Sequence, residues 1–490
     1  MNRRDFLALA LLPRGMPVSD AEARVEPSVV RFDPVVEPLV RAIEDTPRER
    51  LLEEIAARIR RGLSYREALA ALLLAGIRNV QPRPSVGFKF HAVLVVHSAH
   101  LVAQSSPEAE RWLPLLWAFD HFKGAQAADV RQGDWTMPAV NRAVVPGKTE
   151  ALPAFTQAMD QWDETAADAA AAGLAATASP EACFEAFARY AARDIRSIGH
   201  KAIYVANGWR TLETIGWQHG EPVLRSLAYA LLAREGSDPL QGDDRVDRPW
   251  HRNRELAGRV RAGWSNGKFD SGATAELLAL LRHGSEEETA DGTMVLLNRG
   301  IAPESIWDAL TCGAAELLMR HPSILSLHAV TTTNALRHLY DRSKSDETRL
   351  LLLLQNASFL PFYRPRSGSN GARVDELAPL DVHGDSETIV QEICAAIGRD
   401  NPVAARKVLG YLARGSSPRA LIDAANRLVF LKGRDSHDYK FSAAVLEDYD
   451  RLSPSWRDRY LAASVFWLNG LGAPDNDLVL RARQALVGSS

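Results

Sequence analysis

Apolar residues recur at helical spacing along almost the whole of this 490-residue chain. Between residues 47 and 78, for example, Leu52, Ile55, Ile59 and Leu63 follow one another at intervals of three or four. That spacing places them on one face of an α-helix. A long run of strictly alternating apolar and polar residues, which would indicate a half-buried strand, is hard to find. The pattern therefore predicts an all-α chain without a significant sheet.

Local signals also mark the points where individual helices begin. Ser64 and Glu67 have the spacing of a capping box, in which the serine hydroxyl accepts a hydrogen bond from the glutamate amide. Ser106, Ser179, Ser417 and Ser453 each precede a proline. This order puts a capping residue before a first helical position, where the amide that proline lacks would have no intrahelical partner. We therefore expect helices to begin at these five points.

Three stretches interrupt the helical pattern and bear on the domain boundaries. Residues 124–150, 236–254 and 364–385 lack helical spacing or are rich in polar and turn-forming residues. Loops of this length in a compact protein are typically functional covers or linkers. We predict a helical repeat domain over residues 45–363, with a polar linker or loop over residues 364–385. A C-terminal helical repeat over residues 386–488 is expected to pack on the same body.

The composition narrows the classes of partner. Apolar residues make up 46% of the chain and charged residues 24%, and the formal net charge of −3 offers no basic footprint for nucleic acid. The three cysteines lie far apart, which excludes a disulfide scaffold and a CxxC metal site. The longest apolar run, residues 68–77, is half the length of a membrane span. We therefore expect no nucleic-acid partner and no membrane span.

The first residues resemble an export signal. Residues 2–7 read Asn-Arg-Arg-Asp-Phe-Leu, which matches the twin-arginine pattern, and a short apolar stretch follows them. Residues 21–23 offer a small-x-small cleavage point. Residues 1–23 are therefore interpreted as a twin-arginine signal segment that directs the protein to the periplasm. The alternative is an ordinary charged N-terminus on a cytoplasmic protein.

An internal repeat is the most informative feature of the sequence. Similar segments surround Glu67 and Glu304, and each glutamate is followed 24 residues later by a histidine, His91 in the first copy and His328 in the second. A fainter copy, which begins near residue 179, reaches His200. About four degenerate multi-helix repeats of this kind predict one large solenoid-like, curved or closed helical domain.

Equivalent positions in stacked repeats point to the same side, so we expect His91, His200 and His328 to face one cavity. The fourth copy has Ser442 at that position, and we predict that Ser442 lies outside the cavity or forms a wall without ligands. Three neutral imidazoles with an open coordination position would suit zinc, copper or non-haem iron. The three histidines are accordingly the candidate catalytic residues and the candidate metal ligands. His97 and His100 share one helix face, about opposite that of His91; they could support the site from behind its ligands, contact a partner or form polar surface, and polar surface is favoured.

The segments around these histidines resemble those of the questin oxidase-like family. The resemblance rests on Phe90-His91, on residues 199–206 and on residues 328–337, which run from His328 through Thr-Thr-Thr-Asn to Ala-Leu-Arg. This helical family includes fungal enzymes that open anthraquinone rings by Baeyer–Villiger-type oxidation. The resemblance implies an oxygen-using oxidoreductase that acts on an aromatic or polyketide-like compound, with a transition metal (Fe, Cu or Zn) or NADPH as cofactor. The family pattern has a further histidine where this chain has Asn334.

A second class of function stays open on the same pattern. A helical repeat protein can bind a peptide or a partner protein on its concave face without any chemistry. The sequence contains no GxGxxG or GxxxxGK[ST] motif, which removes a recognisable nucleotide site but not an unusual one, so residues that would bind a cofactor such as NADPH are not identified. A stoichiometric metal that depends on the three histidines would favour the enzyme over the scaffold.

Overall fold

A computed structural model of the protein describes residues 26–83, 90–234, 244–365 and 371–488. Over these ranges the fold is all-α, as the periodicity predicts. The only β-type pairing among the described residues is two isolated bridges, Val29 with Pro138 and Lys268 with Ile301. The segment interpreted as an export signal, residues 1–23, lies outside the described residues. Among the described helices, none combines the length and the apolar content that a bilayer crossing requires.

The described part of the chain forms 22 α-helices, and a few single 3₁₀ turns join them. In chain order the α-helices are α1 (Glu37–Asp45), α2 (Arg48–Arg60), α3 (Tyr65–Asn79), α4 (His91–Gln104), α5 (Leu113–Arg131), α6 (Ala151–Asp160), α7 (Glu164–Thr177), α8 (Pro180–Ala191), α9 (His200–Ile215), α10 (Gly220–Leu232), α11 (Arg248–Ala257), α12 (Ser271–His283), α13 (Glu286–Asn298), α14 (Pro303–Arg320), α15 (Ile324–Arg342), α16 (Asp346–Tyr363), α17 (Ser386–Ala396), α18 (Asn401–Ala413), α19 (Pro418–Lys432), α20 (Ser436–Arg451), α21 (Pro454–Ser464) and α22 (Asp477–Val487).

Four of the five predicted helix starts are observed, whereas after Ser106 the chain forms only a 3₁₀ turn, Glu108–Glu110. The Ser64 hydroxyl accepts from the Glu67 amide and the Glu67 carboxylate accepts from the Ser64 amide, which completes the capping box of α3. Ser179 caps α8 by accepting from the amide of Ala182. Helices α19 and α21 begin at the two prolines that follow Ser417 and Ser453, although neither serine side chain makes a capping hydrogen bond.

Two of the stretches predicted to be irregular are partly helical, and the prediction is wrong there. Helix α5 continues to Arg131 through a run of small residues, because alanine favours helix without supplying the large apolar side chains that reveal periodicity. The polar helix α11 has a proline in its first turn and buries Asn253 and Leu256. In the third stretch, the described residues contain only a single 3₁₀ turn, Val374–Glu376.

Four helices form the centre of the fold. Helix α4 packs on α9 and α20, and α15 packs on the same two helices, so that α4, α9, α15 and α20 surround one another. Helices α3 and α5 cover α4 from outside, while α14 and α16 cover α15. One continuous cluster of buried apolar side chains runs through this arrangement from the N-terminal helices to α22. Because α20 belongs to the central four, the C-terminal helices complete the body rather than forming an appendage.

Candidate functional site

The three histidines of the repeat pattern meet at one point. His91 is the first residue of α4, His200 is the first residue of α9, and His328 is the fifth residue of α15. The Nε2 atom of His200 lies 3.1 Å from that of His91 and 2.8 Å from that of His328. One ring nitrogen from each of the three residues lies within 4.8 Å of the others, and all three residues are buried. The repeat alignment therefore places the three side chains in one site correctly.

A strained segment fixes the position of His200. Ile198 and Gly199, the two residues before the helix, have φ angles of +52° and +80°, which is the left-handed region that favours glycine. A Cβ atom at Gly199 would lie 2.3 Å from the Thr332 side chain of α15. The Thr332 hydroxyl in turn donates to the carbonyl of Ile198 at 3.1 Å. This close contact aligns the start of α9 with α15, and thereby His200 with the neighbouring histidine.

Backbone carbonyls set the tautomers of two of the rings. The Nδ1 atom of His200 lies 2.6 Å from the carbonyl of Ser197, and that of His328 lies 2.7 Å from the carbonyl of Ile324. A carbonyl oxygen can only accept, so each Nδ1 carries the hydrogen and each neutral ring presents a lone pair at Nε2. The Nε2 atoms of His200 and His328 that carry these lone pairs are 2.8 Å apart. At that distance they repel one another unless a proton or a metal cation lies between them.

Helix α20 contributes two more side chains that the sequence analysis missed. The Nζ atom of Lys440 lies 3.0 Å from Nε2 of His91 and 3.1 Å from Nε2 of His328. The ring of His437 lies 5.1 Å, centroid to centroid, from the rings of both histidines. Nδ1 of His437 is 3.2 Å from a carboxylate oxygen of Asp435. The site is therefore a cluster of four histidines and one lysine, contributed by all four central helices.

The prediction for Ser442 is confirmed, but it misses two other residues of the same helix. Ser442 does lie outside the histidine cluster, where its hydroxyl donates to the side chain of Asn426 at 2.5 Å. The same helix nevertheless reaches the cluster through His437 and Lys440, which precede the serine by five and two residues. Their spacing of three on a well-marked helix places both on one face, and this signal was available in the sequence.

Burial controls the charge of the cluster. It lowers the pKa of His91, His200 and His328 well below the ordinary value, and the nearby Lys440 lowers the pKa of each histidine further. Burial also lowers the pKa of Lys440 itself to about 7. Near neutral pH the three rings are therefore neutral, and their nitrogen lone pairs are available to a cation.

The nitrogen positions suit one transition metal ion. With metal–nitrogen bonds of about 2.0–2.1 Å, two neighbouring ligand nitrogens lie roughly 3 Å apart, and the observed separations are 3.1 and 2.8 Å. Metal-bound histidine almost always donates its other N–H to a carbonyl or carboxylate, as His200 and His328 do here. The donor set consists of imidazole nitrogens, which suits iron, copper or zinc. His91, His200 and His328 would hold such an ion.

A second layer of polar side chains lies six to ten residues further along the same four helices. Glu447 of α20 accepts from Arg210 of α9 at 2.5 Å and from Asn334 of α15 at 3.0 Å, and its other oxygen lies 3.2 Å from Nε2 of His97 of α4. Asn334 also donates to Asp448 at 2.8 Å. Asn334 therefore belongs to this layer and not to the histidine cluster.

The interpretation of His97 as polar surface is wrong, because the residue is only 6% exposed. Every residue of α4 from His91 to Ala99 is buried, since other helices surround α4 on all sides. A helix that is hydrophobic all round indicates a central position. The sequence of α4 carries that signal, so the burial of His97 was predictable.

The chain matches no known protein family, no curated protein and no solved structure. The resemblance to the questin oxidase-like family accordingly stays a prediction, and the function is inferred from the histidine cluster.

Proposed function

We propose that the protein is a metal-dependent, oxygen-using oxidoreductase that acts on an aromatic or polyketide-like small molecule at the histidine cluster. The observation that carries the proposal is the meeting of three buried histidine nitrogens, contributed by three separate helices, two of whose separations, 3.1 and 2.8 Å, suit ligands to one ion. The spacing supports the metal-dependent part. The resemblance of the segments around these histidines supports the choice of oxidation as the chemistry.

Iron and copper fit the proposed reaction better than zinc, because zinc has no redox chemistry. Three protein ligands leave coordination positions open. When bound, such a metal ion supplies a Lewis acid and a redox centre at which dioxygen and a substrate oxygen can react.

The protein side chains hold the ligands and a proton. The carbonyls of Ser197 and Ile324 keep His200 and His328 in the tautomer that presents Nε2 to the ion. Lys440, whose pKa is about 7, can hold or release a proton at Nζ beside the rings near neutral pH. The side chain of Lys440 is only 2% exposed, so surrounding helices exclude bulk water from this proton.

Oxygen uptake tests the proposal. Purified protein is loaded anaerobically with ferrous or cuprous ion and then supplied with dioxygen and a panel of hydroxylated aromatic compounds. We expect uptake with at least one compound and its loss in His328→Ala. His338→Ala is the matched control, because His338 lies on the same helix, is 7% exposed and takes no part in the cluster.

A metal-loaded protein that consumes no oxygen with any compound would contradict the oxidase proposal. Failure to bind metal at all would favour the alternative, a helical repeat scaffold that binds a peptide or protein.

A further inference from the structure

A cavity lies beside the segment that leads into α9, and no residue of the histidine cluster lines it. Its volume is about 270 Å³. The walls include three aromatic side chains, Trp162, Tyr190 and Trp250, and the guanidinium of Arg193. Trp162 and Tyr190 are buried, whereas Trp250 is half-buried. Aromatic walls with a few placed polar groups are typical of small-molecule sites.

The guanidinium of Arg193 lacks one acceptor. Its Cζ atom lies 4.0 Å from the centre of the Trp162 ring and 5.0 Å from that of Tyr190. Nη1 donates to the carbonyl of Met159 at 2.6 Å. Nη2 is buried and has no hydrogen-bond partner among the described residues. A buried donor without an acceptor is costly, so an acceptor placed by a ligand at Nη2 would stabilise the site.

The unsatisfied charges around the cavity are mainly positive. Arg189 and Arg254 also line it, both are exposed, and neither has a carboxylate within 4 Å in the described part of the chain. Burial lowers the pKa of Arg193 to about 10, which leaves this guanidinium cationic at neutral pH.

Two of the four carboxylates that line the cavity are paired with cations. Asp194 lies 2.7 Å from Nζ of Lys201, and Asp247 lies 2.6 Å from Nη1 of Arg196. Asp160 accepts from the hydroxyl of Tyr190 at 2.9 Å. The fourth, Glu347, is exposed in the first turn of α16. The positive groups therefore exceed the carboxylates that remain available.

We propose that this cavity binds a small planar organic carboxylate. The carboxylate accepts from Nη2 of Arg193, and the flat carbon skeleton lies among the aromatic walls. A charge-assisted hydrogen bond to a desolvated guanidinium is stronger than a neutral one. The cavity is larger than a bare carboxylate needs and close to the lower end of the usual range for ligand pockets, which favours a single-ring compound. The site is separate from the histidine cluster and does not depend on the proposed oxidation.

Calorimetric titration of the full-length protein with simple probes tests the proposal. The probes are benzoate, its neutral isostere benzamide, acetate, which lacks the ring, and inorganic phosphate. We expect benzoate to bind about tenfold or more tightly than each of the other three, because each of them lacks the charge, the ring or the planar shape. Equal affinities for benzoate and benzamide, or tighter binding of acetate or phosphate, would overturn the assignment.

Variants locate the binding. Arg193→Gln is expected to weaken benzoate binding by about tenfold or more, and Arg254→Gln by about threefold, since the second group is exposed and screened. Arg252→Gln is the control, because Arg252 lies on α11 like Arg254 but pairs with Asp291 outside the cavity. If Arg193→Gln fails to fold, the benzoate affinity of Arg254→Gln decides whether the cavity binds the carboxylate. Benzoate affinity that is unchanged in every folded cavity variant would refute the site.

The same titration in His328→Ala separates this proposal from the proposed oxidation. We expect unchanged benzoate affinity in that variant, whether or not the histidine cluster binds metal. A loss of benzoate binding in His328→Ala would place the ligand at the histidine cluster and overturn the separate site.

Discussion

Replacing Lys440 by methionine should stabilise the metal-free protein, and the gain should depend on pH. Lys440 is 2% exposed, and its nearest groups are the rings of His91 and His328 rather than a carboxylate. Burial lowers its pKa from 10.5 to about 7. Between these two pH values the unfolded chain binds a proton that the folded chain does not, so stability rises with pH. Lys440→Met removes the buried cation and with it this pH dependence.

The size of the effect follows from the shift in pKa. At 1.36 kcal/mol per pKa unit, the penalty for charging the folded protein is about 5 kcal/mol below pH 7. The penalty falls to about 2 kcal/mol at pH 9 and vanishes above the unfolded value near 10.5. The advantage of Lys440→Met over the parent protein should therefore shrink by about 2–3 kcal/mol between pH 6 and pH 9.

Urea unfolding of chelator-treated protein at several pH values measures this difference. Lys201→Met is the matched control, because Lys201 is equally buried but lies 2.7 Å from Asp194. Removing this cation leaves a buried carboxylate with fewer partners and should destabilise the protein by about 3–5 kcal/mol. A Lys440→Met variant that is less stable than the parent at pH 6, or whose advantage does not vary with pH, would refute the reasoning.

Two further substitutions probe the second polar layer and the start of α9. Burial raises the pKa of Asp448 to about 6. The stability that the protonated carboxyl contributes is therefore lost as pH rises through 6. Asp448→Asn should raise the thermal midpoint at pH 7.5 but not at pH 4. The gain in the free energy of unfolding is at most about 3 kcal/mol. Equal shifts of the thermal midpoint at both pH values would contradict this prediction. Gly199→Ala would force a Cβ atom to within 2.3 Å of Thr332 and displace His200, so metal affinity should fall roughly 10- to 100-fold. Gly398→Ala is the control, because Gly398 has a similar φ of +79° but open space around its Cβ position. Equal metal affinity in the two glycine variants would show that the contact with Thr332 is unimportant.

The fold class and the meeting of three histidines were predictable because both depend on periodic features of the sequence. Helical spacing and capping signals act within a few residues, and they identify most helices. The repeat register extends this local information across the chain, since equivalent residues of similar units occupy equivalent places. The meeting of His91, His200 and His328 is consistent with such a repeat.

The remainder depends on packing that the pattern does not contain. The repeat pattern predicts only Ser442 on α20, whereas His437 and Lys440, five and two residues earlier, are the side chains that reach the cluster. The cavity around Arg193 is formed by segments that are distant in sequence, and its character depends on which carboxylates are already paired. Such pairing is a property of the folded protein and not of the residue pattern.

Metal content of the purified protein tests the central proposal most directly. Element analysis after anaerobic loading with ferrous, cuprous or zinc ion, followed by gel filtration, should find about one ion per chain. His91→Ala, His200→Ala and His328→Ala should each lose most of this ion, whereas His338→Ala should retain it. Absence of a stoichiometric metal from folded parent protein, or full retention of the metal when all three histidines are replaced, would contradict the assignment of the cluster as a metal centre.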